Sequence, residues 1–373
     1  MKNLIIGIDG NEANVKNRVG IGEYAFELLQ EFHELQITNY EFTVYLKEKP
    51  NDDMPKENDN WKYKIFGPSF LWTQLALPLQ LFIEKDKPNI FFSPSHYAPR
   101  VSPVPTAISI MDLAFLRYPE MFNKKDLYQL KEWTLYSAKN ASLIFTISQS
   151  SKDDIIKFYN IKPEKIVVTY PGIRQGIKAM NKLDFKEILK KYKISPNFIL
   201  FVGTLQPRKN IAKLIEAFFQ IKDKKDLNLV IVGKKGWQYE EILSAPEKFG
   251  ISDMVKFLDF VPDEELDILY KNAICYCLPS LYEGFGLPVL EAMQRGCPVI
   301  TSSISSLPEA GGNAALYCDP KNAADIKDKL EMIIGNKKLR LEMIEKGYKQ
   351  VKKFSWEKTA KETLAALENL VNK

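Results

Sequence analysis

Histidine is almost absent from the 373 residues, with two in the whole chain, and cysteine is scarce, with four. Cys275, Cys277, Cys297 and Cys318 form no Cys-x-x-Cys pair, and three of them lie in apolar runs. That placement reads as buried, reduced thiols rather than disulfides or a zinc site. A reducing compartment, the cytoplasm, is expected. Long hydrophobic runs are missing too. Leu4 to Ile8 is too short for a signal peptide and meets Asp9, Glu12 and Lys16 at once. Phe70 to Ile83 is broken by Thr73, Gln74, Pro78 and Gln80, well short of the ~18–20 apolar residues that span a bilayer. Charge of one sign is also lacking. Against 47 Asp+Glu stand 52 Lys+Arg, a formal net charge of +5, and no concentrated basic stripe of the kind that tracks nucleic-acid phosphates is visible. No nucleic-acid partner is expected.

What is present is an ordinary globular composition, 45% hydrophobic and 27% charged, in a chain long enough for two domains of about 100 to 200 residues each. Short β-branched or apolar runs alternate with helical patterns from end to end, the signature of parallel sheets with crossover helices. The pattern predicts strands at 3–9, 41–46, 89–93, 105–110, 142–147 and 165–169, with helices near 21–36, 70–84, 124–140 and 149–159. After Tyr170-Pro171-Gly172 comes a polar stretch, and a second series begins at Phe198. Its strands are expected near 198–203, 228–233, 255–260, 274–278 and 298–301, with helices near 210–221, 238–248, 263–272, 288–295, 322–335 and 338–352. The last segment, Phe354-Ser355-Trp356 to Leu370, is amphipathic with no strand after it to cross to, so it packs on another surface, for which the first domain is one candidate. The expected division is therefore 1–172 plus 354–373, a linker at 173–194, and 195–353. The fold class is α/β, two doubly wound Rossmann-like domains whose facing sheets place a cleft between them.

The loops at the strand ends are where such sheets bind ligands. The richest runs from Pro279 through Glu283, Gly284, Phe285, Gly286 and Leu287 to Pro288 and enters a helix carrying Glu291. Two glycines before a helix start let the backbone approach a ligand, and the free N–H groups with the helix dipole favour an anion such as a diphosphate. Glu283 and Glu291 beside that anion call for uncharged, hydroxyl-rich partners, which a sugar and a ribose supply. The bland alternative makes each a helix-start or loop acid. Gly203 to Asn210 ends the next strand and holds Arg208 and Lys209. Cations here would neutralise a leaving diphosphate, although a solvated surface pair is the competing reading. In the first domain, Gly20-Ile21-Gly22 opens a helix and formally matches a dinucleotide fingerprint. About ten residues separate it from its strand, whereas that fingerprint follows its strand immediately. A nicotinamide or flavin site and a glycine-lined ligand loop both stay open.

Together these motifs resemble the retaining nucleotide-sugar glycosyltransferases of group 1, family four, with the GT-B fold and a mannosyltransferase-like branch. The likeness rests on Gly20-Ile21-Gly22, Phe145 to Ser148, Tyr170-Pro171-Gly172, Gly203 to Asn210, Pro279 to Met293 with seven residues between Glu283 and Glu291, Ser306 to Glu309, and Phe354-Ser355-Trp356. It implies that Lys209 and Arg208 hold the donor phosphates, that Glu291 binds the nucleotide ribose, and that Gly284 to Pro288 meet the diphosphate. Glu283 then touches the transferred sugar, Gly203, Gly20 and Gly22 line the donor region, and backbone around Phe260, Val261 and Pro262 meets the base. The resemblance also implies a nucleoside-diphosphate sugar donor (GDP-, UDP- or dTDP-linked), no tightly bound cofactor, no metal, and transfer of a hexose or deoxyhexose to a saccharide or lipid-linked glycan.

Two positions depart from the family. Thr204 stands where relatives often have Arg. Met111-Asp112 stands where many carry His-Asp; Asp112 is carried over as a catalytic position, but Met111 removes a hydrogen-bonding group. A tolerated change, a donor sugar lacking one hydroxyl, and a catalytically weak or silent subunit of a glycan-assembly complex are the three readings of Met111. A dinucleotide-dependent oxidoreductase is the alternative enzyme. Finally, Phe70, Leu71, Trp72, Leu75, Leu79 and Phe82 form an apolar face suited to peripheral membrane association at the inner surface, or to an ordinary helix packed on the first sheet.

Overall fold

The computed structural model describes residues 3–35, 39–174, 184–223 and 226–372. They divide into two compact units, Met1–Gly172 with Phe354–Lys373, and Ile173–Lys353.

The first unit carries seven strands: β1 Leu4–Asp9, β2 Tyr40–Leu46, β3 Trp61–Ile65, β4 Ile90–Ser93, β5 Thr106–Ser109, β6 Leu143–Thr146 and β7 Ile166–Val168. They pair in parallel in the order β3-β2-β1-β4-β5-β6-β7. Every residue of β4, β5 and β6 is buried, the uniform pattern of parallel strands covered on both faces. The helix Ile21–Glu34 lays Tyr24, Ala25, Leu28, Leu29 and Phe32 on one face. The helix Trp356–Val371 adds Trp356, Ala360, Leu364 and Leu367 to that same core. Its start is fixed by Ser355, which accepts a hydrogen bond from the Lys358 amide, and by the Thr359 hydroxyl, which donates to the Tyr170 carbonyl at 2.6 Å. A Cβ on Gly172 would lie 2.1 Å from the Trp356 nitrogen. Only glycine fits where the departing chain passes the returning one.

The second unit holds β8 Asn197–Val202, β9 Leu227–Val232, β10 Val255–Leu258, β11 Cys275–Leu278, β12 Val299–Ser302 and β13 Ala315–Cys318. All pair in parallel, in the order β10-β9-β8-β11-β12-β13. Its four cysteines are unbridged and buried. Burial pushes the Cys275 thiol up to about 12, so it stays protonated and inert at neutral pH.

Several elements differ from the sequence expectations. β3 and β13 were not expected as strands. The helix Phe185–Tyr192 lies inside the stretch read as linker; Asp184 caps it, and Lys191 and Tyr192 both bond Glu265 on the helix Asp263–Asn272. Residues 175–183 of that stretch lie outside the described residues. The helix expected at 70–84 is shortened to Ala76–Ile83, because Leu71 adopts a left-handed φ of 50° in the preceding turn. No helix among the described residues is long and apolar enough to cross a membrane.

Each sheet reverses its strand order once, between β1 and β4 and between β8 and β11. At such a point the outgoing connections diverge to opposite sides and leave a crevice at the carboxyl ends of the strands.

Candidate active site

In the second unit the loops leaving β8 and β11 border that crevice, and they are joined by backbone contacts independent of any charge. Pro207–Lys209 makes one tight turn, and Asn210, at a φ of 59°, ends it before the helix Ile211–Phe219. The Asn210 side-chain Nδ2 donates to the backbone carbonyls of Pro279 at 2.9 Å and Pro320 at 2.7 Å. The Leu281 amide donates to the Arg208 carbonyl at 2.9 Å.

The charges sit on this frame. Glu283 is 7% exposed. Its Oε1 accepts from Lys209 Nζ at 2.7 Å and from the Ser280 hydroxyl at 2.6 Å, and its Oε2 accepts from Arg208 Nη1 at 3.0 Å. Arg208 Nη1 also donates to the Tyr282 carbonyl at 2.5 Å. Burial pushes the Glu283 carboxyl up, but Lys209 and then Arg208 outweigh it and hold it at about 2. Two cations against one carboxylate leave this strand end net positive.

The loop beyond Glu283 is held by serines. Ser305 Oγ donates to the Glu283 carbonyl at 2.7 Å, and Ser306 Oγ lies 2.8 and 2.9 Å from the carbonyls of Glu283 and Phe285. Gly286 follows at a φ of 110°, and a Cβ there would meet Leu307 Cδ2 at 2.8 Å; both facts require glycine. Pro288 sits in the first turn of the helix Leu287–Gln294, whose inner face is Val289, Leu290, Ala292 and Met293. Glu291 projects from the second turn of this helix, half-buried. Among the described residues its carboxylate has no hydrogen bond or ion pair. Burial raises its pKa, with Arg295 opposing, while Arg295 itself pairs with Asp267 at 3.2 Å.

Lys209, Arg208 and Glu283, expected as separate contributors, are thus brought into direct contact. Gly203 lies beside them: a Cβ on it would approach Lys209 Cε to 3.9 Å. Gly284, Phe285, Gly286, Leu287 and Pro288 form the adjoining helix entry, and Val261 is buried after β10 with Phe260 exposed beside it. Ser280 and Ser305 were missed. A lone serine carries no motif, and their roles appear only when β11 and β12 stand side by side.

Gly20, Gly22 and Asp112 belong to the first unit. Gly20 has a φ of 55° and nothing within 4 Å of a Cβ, while a Cβ on Gly22 would meet the Glu12 carbonyl at 3.0 Å. The loop from Gly10 to Val19 separates them from β1, so no strand-to-helix turn of the dinucleotide kind is built. Asp112 accepts a hydrogen bond from the Ala114 amide at 2.8 Å. Met111 packs against the first core, and its carbonyl accepts from Ser151 Oγ at 2.8 Å. His96 meets Tyr97 edge-to-face, ring centroids 4.1 Å apart, and burial pulls its pKa down to about 4.

Residues 184–350 match the family of glycosyl transferases group 1. The O-antigen chain mannosyltransferase B of Escherichia coli is 32% identical over 285 residues, 75% of this chain and 74% of that one. The chain belongs to the group 1 glycosyltransferases. The O-antigen chain mannosyltransferase RfbU of Salmonella typhimurium is similar too, 36% identical over 217 residues, 57% of this chain and 56% of its own. Anabaena HepE, solved with UDP and glucose, superposes with a TM-score of 0.72 at 17% identity, over 98% of this glycosyltransferase and 100% of that chain. The fold is accordingly the GT-B arrangement, α/β with two parallel-sheet units.

Proposed function

We propose that this glycosyltransferase moves a hexosyl residue, mannosyl by analogy with the names of its relatives, from a nucleoside-diphosphate sugar to a hydroxyl of a saccharide or lipid-linked glycan, with retention of anomeric configuration. The observation that carries this reading is the Arg208–Glu283–Lys209 cluster at the order reversal of the second sheet, one turn from a glycine-opened helix start. As the bond from the anomeric carbon to the diphosphate breaks, negative charge collects on the leaving oxygen. Arg208, Lys209 and the first-turn amides of Leu287–Gln294 stabilise it. The acceptor oxygen bonds to the anomeric carbon from the face the phosphate is leaving, and its proton passes to the departing phosphate oxygen. Glu283, kept ionised by its cations, fixes the transferred sugar through its hydroxyls. Glu291, which has no hydrogen bond or ion pair among the described residues, takes the two ribose hydroxyls, and the backbone at Val261 meets the base. With Arg208, Lys209 and the helix-start amides offsetting the charge that develops on the phosphate, the proposed transfer runs without a metal ion.

GDP, UDP or dTDP should raise the melting temperature, by an amount equivalent to about 2.7 kcal/mol at 100 times its Kd. Glu291→Ala, which leaves the loop frame intact, should weaken that nucleotide at least tenfold. No stabilisation by any of the three would overturn the donor site, and an inverted anomeric signal in the product's NMR spectrum would overturn retention.

The acceptor's source is proposed to be a cytoplasmic membrane surface. From Ala76 to Ile83 the helix has no charge; Leu77 and Leu81 turn inward, while Leu79, Phe82 and Ile83 are exposed along with the preceding Phe70 and Leu75. Trp72 points inward, so the apolar face is smaller at that end than the sequence suggested. Lys64 pairs with Glu84 at the end of this helix, Lys87 Nζ donates to the Glu84 carbonyl at 2.8 Å, and Lys85 is exposed between them. An apolar face edged by lysines suits an anionic bilayer. The protein should co-sediment with phosphatidylglycerol vesicles, and Leu79→Glu with Phe82→Glu should abolish this; sedimentation unchanged by the double substitution would exclude the surface.

A further inference from the structure

Ser305 holds a backbone conformation that a side chain disfavours. Its φ is 58°, in the left-handed region that glycine enters at little cost. A serine kept in such a position points to a use for its hydroxyl that glycine could not fill.

That hydroxyl is the third of four set in a row along one turn. The backbone ladder between β11 and β12 ends where Leu278 lies opposite Thr301, and from there side chains take over. Thr301 Oγ1 donates to the Leu278 carbonyl at 2.9 Å, and Ser302 Oγ donates to the Ser280 carbonyl at 2.6 Å. Ser305 Oγ then grips one residue twice, accepting from the Glu283 amide at 3.2 Å and donating to the Glu283 carbonyl at 2.7 Å. Ser306 Oγ, buried, lies within reach of two carbonyls, those of Glu283 and Phe285, yet a hydroxyl has one proton to give. Because Ser305 already serves the Glu283 carbonyl, the Ser306 proton is left for Phe285. The peptide joining Phe285 to Gly286 is planar and trans, so its N–H points away from the carbonyl that Ser306 holds.

In the glycosyl-transfer reading above, the donor lies along this stretch with its sugar at Glu283 and its ribose at Glu291. Gly286, on the sugar side of the helix start, then meets the distal phosphate, the one bonded to the sugar. We propose that Ser305 is a positioning residue for the transfer: by fixing the Glu283 backbone and committing Ser306 to Phe285, it aims the Glu283 carboxylate at the sugar and the Gly286 N–H at the distal phosphate. The proposal rests on that reading and adds a residue that acts on the donor through two others.

Two substitutions in the full chain separate the hydroxyl from the backbone. Ser305→Ala removes the hydroxyl and keeps the unfavourable φ, whereas Ser305→Gly removes the hydroxyl and relieves the φ, so the glycine variant should melt at the higher temperature. Nucleotide binding should not follow that order. Whichever of GDP, UDP and dTDP the wild type binds should weaken about tenfold in both variants alike, the scale of one misaimed hydrogen bond to a charged group. The matching nucleoside monophosphate, which lacks the distal phosphate, should stay within about twofold, since its own contacts are untouched. Three results each overturn the proposal: diphosphate affinity unchanged in either variant, an equal loss for the monophosphate, or a loss confined to Ser305→Ala. A wild type that binds none of the three diphosphates would overturn the transfer reading first, and this proposal with it.

Discussion

Lys209→Ala should lower sugar transfer about 100-fold or more, the scale on which active sites respond to losing a charge-stabilising donor. The loss should fall mainly on kcat, because the charge Lys209 meets grows as the glycosidic bond breaks. Folding should survive. The loop frame is held by Asn210, Leu281 and the two serines rather than by the ammonium, and Arg208 still faces Glu283 at 3.0 Å. A variant with wild-type turnover would show that Lys209 serves only the ion pair.

Glu283→Gln should be the more damaging change to stability. It leaves Arg208 and Lys209, with side chains 17% and 11% exposed, side by side without their shared countercharge. Orphaning buried charge in this way costs about 3–5 kcal/mol, and transfer should fall at least 100-fold as well. The same pairing sets an acid limit. The Glu283 pKa is lowered in the folded state, from 4.5 to about 2, so its stabilising contribution is complete above 4.5 and fades as the pH drops from there toward 2. Denaturant midpoints measured between pH 7 and pH 3 should fall more steeply for the wild type than for Glu283→Gln, and parallel curves would refute the coupling.

Much of this site is visible in the linear chain because it is written in short contiguous runs. Gly203 to Asn210 and Pro279 to Glu291 each hold several functional groups, and the glycines that must precede the helix at Leu287 are unmistakable. Their mutual contact is not visible, since Lys209 and Glu283 meet only because β8 and β11 are neighbours despite lying 74 residues apart. Among the fold elements, β3 was hidden by Lys62 and Lys64, which give an edge strand the look of a loop. The helix Phe185–Tyr192 was hidden by its lysines, which leave Ile188 as its single buried residue. The helix at Ala76–Ile83 was overextended because apolar content continues back to Phe70 while the backbone does not.

The close passage of Gly172 and Trp356 has a consequence for the order of events during synthesis. The first sheet's core includes Trp356, Ala360, Leu364 and Leu367, which are translated after β13 Ala315–Cys318, the last described strand of the second sheet. Domains fold as units while the chain emerges, so the unit that leaves the ribosome first is the one finished last. A truncation at residue 353 would therefore spare the unit it adjoins and leave the amino-terminal core open.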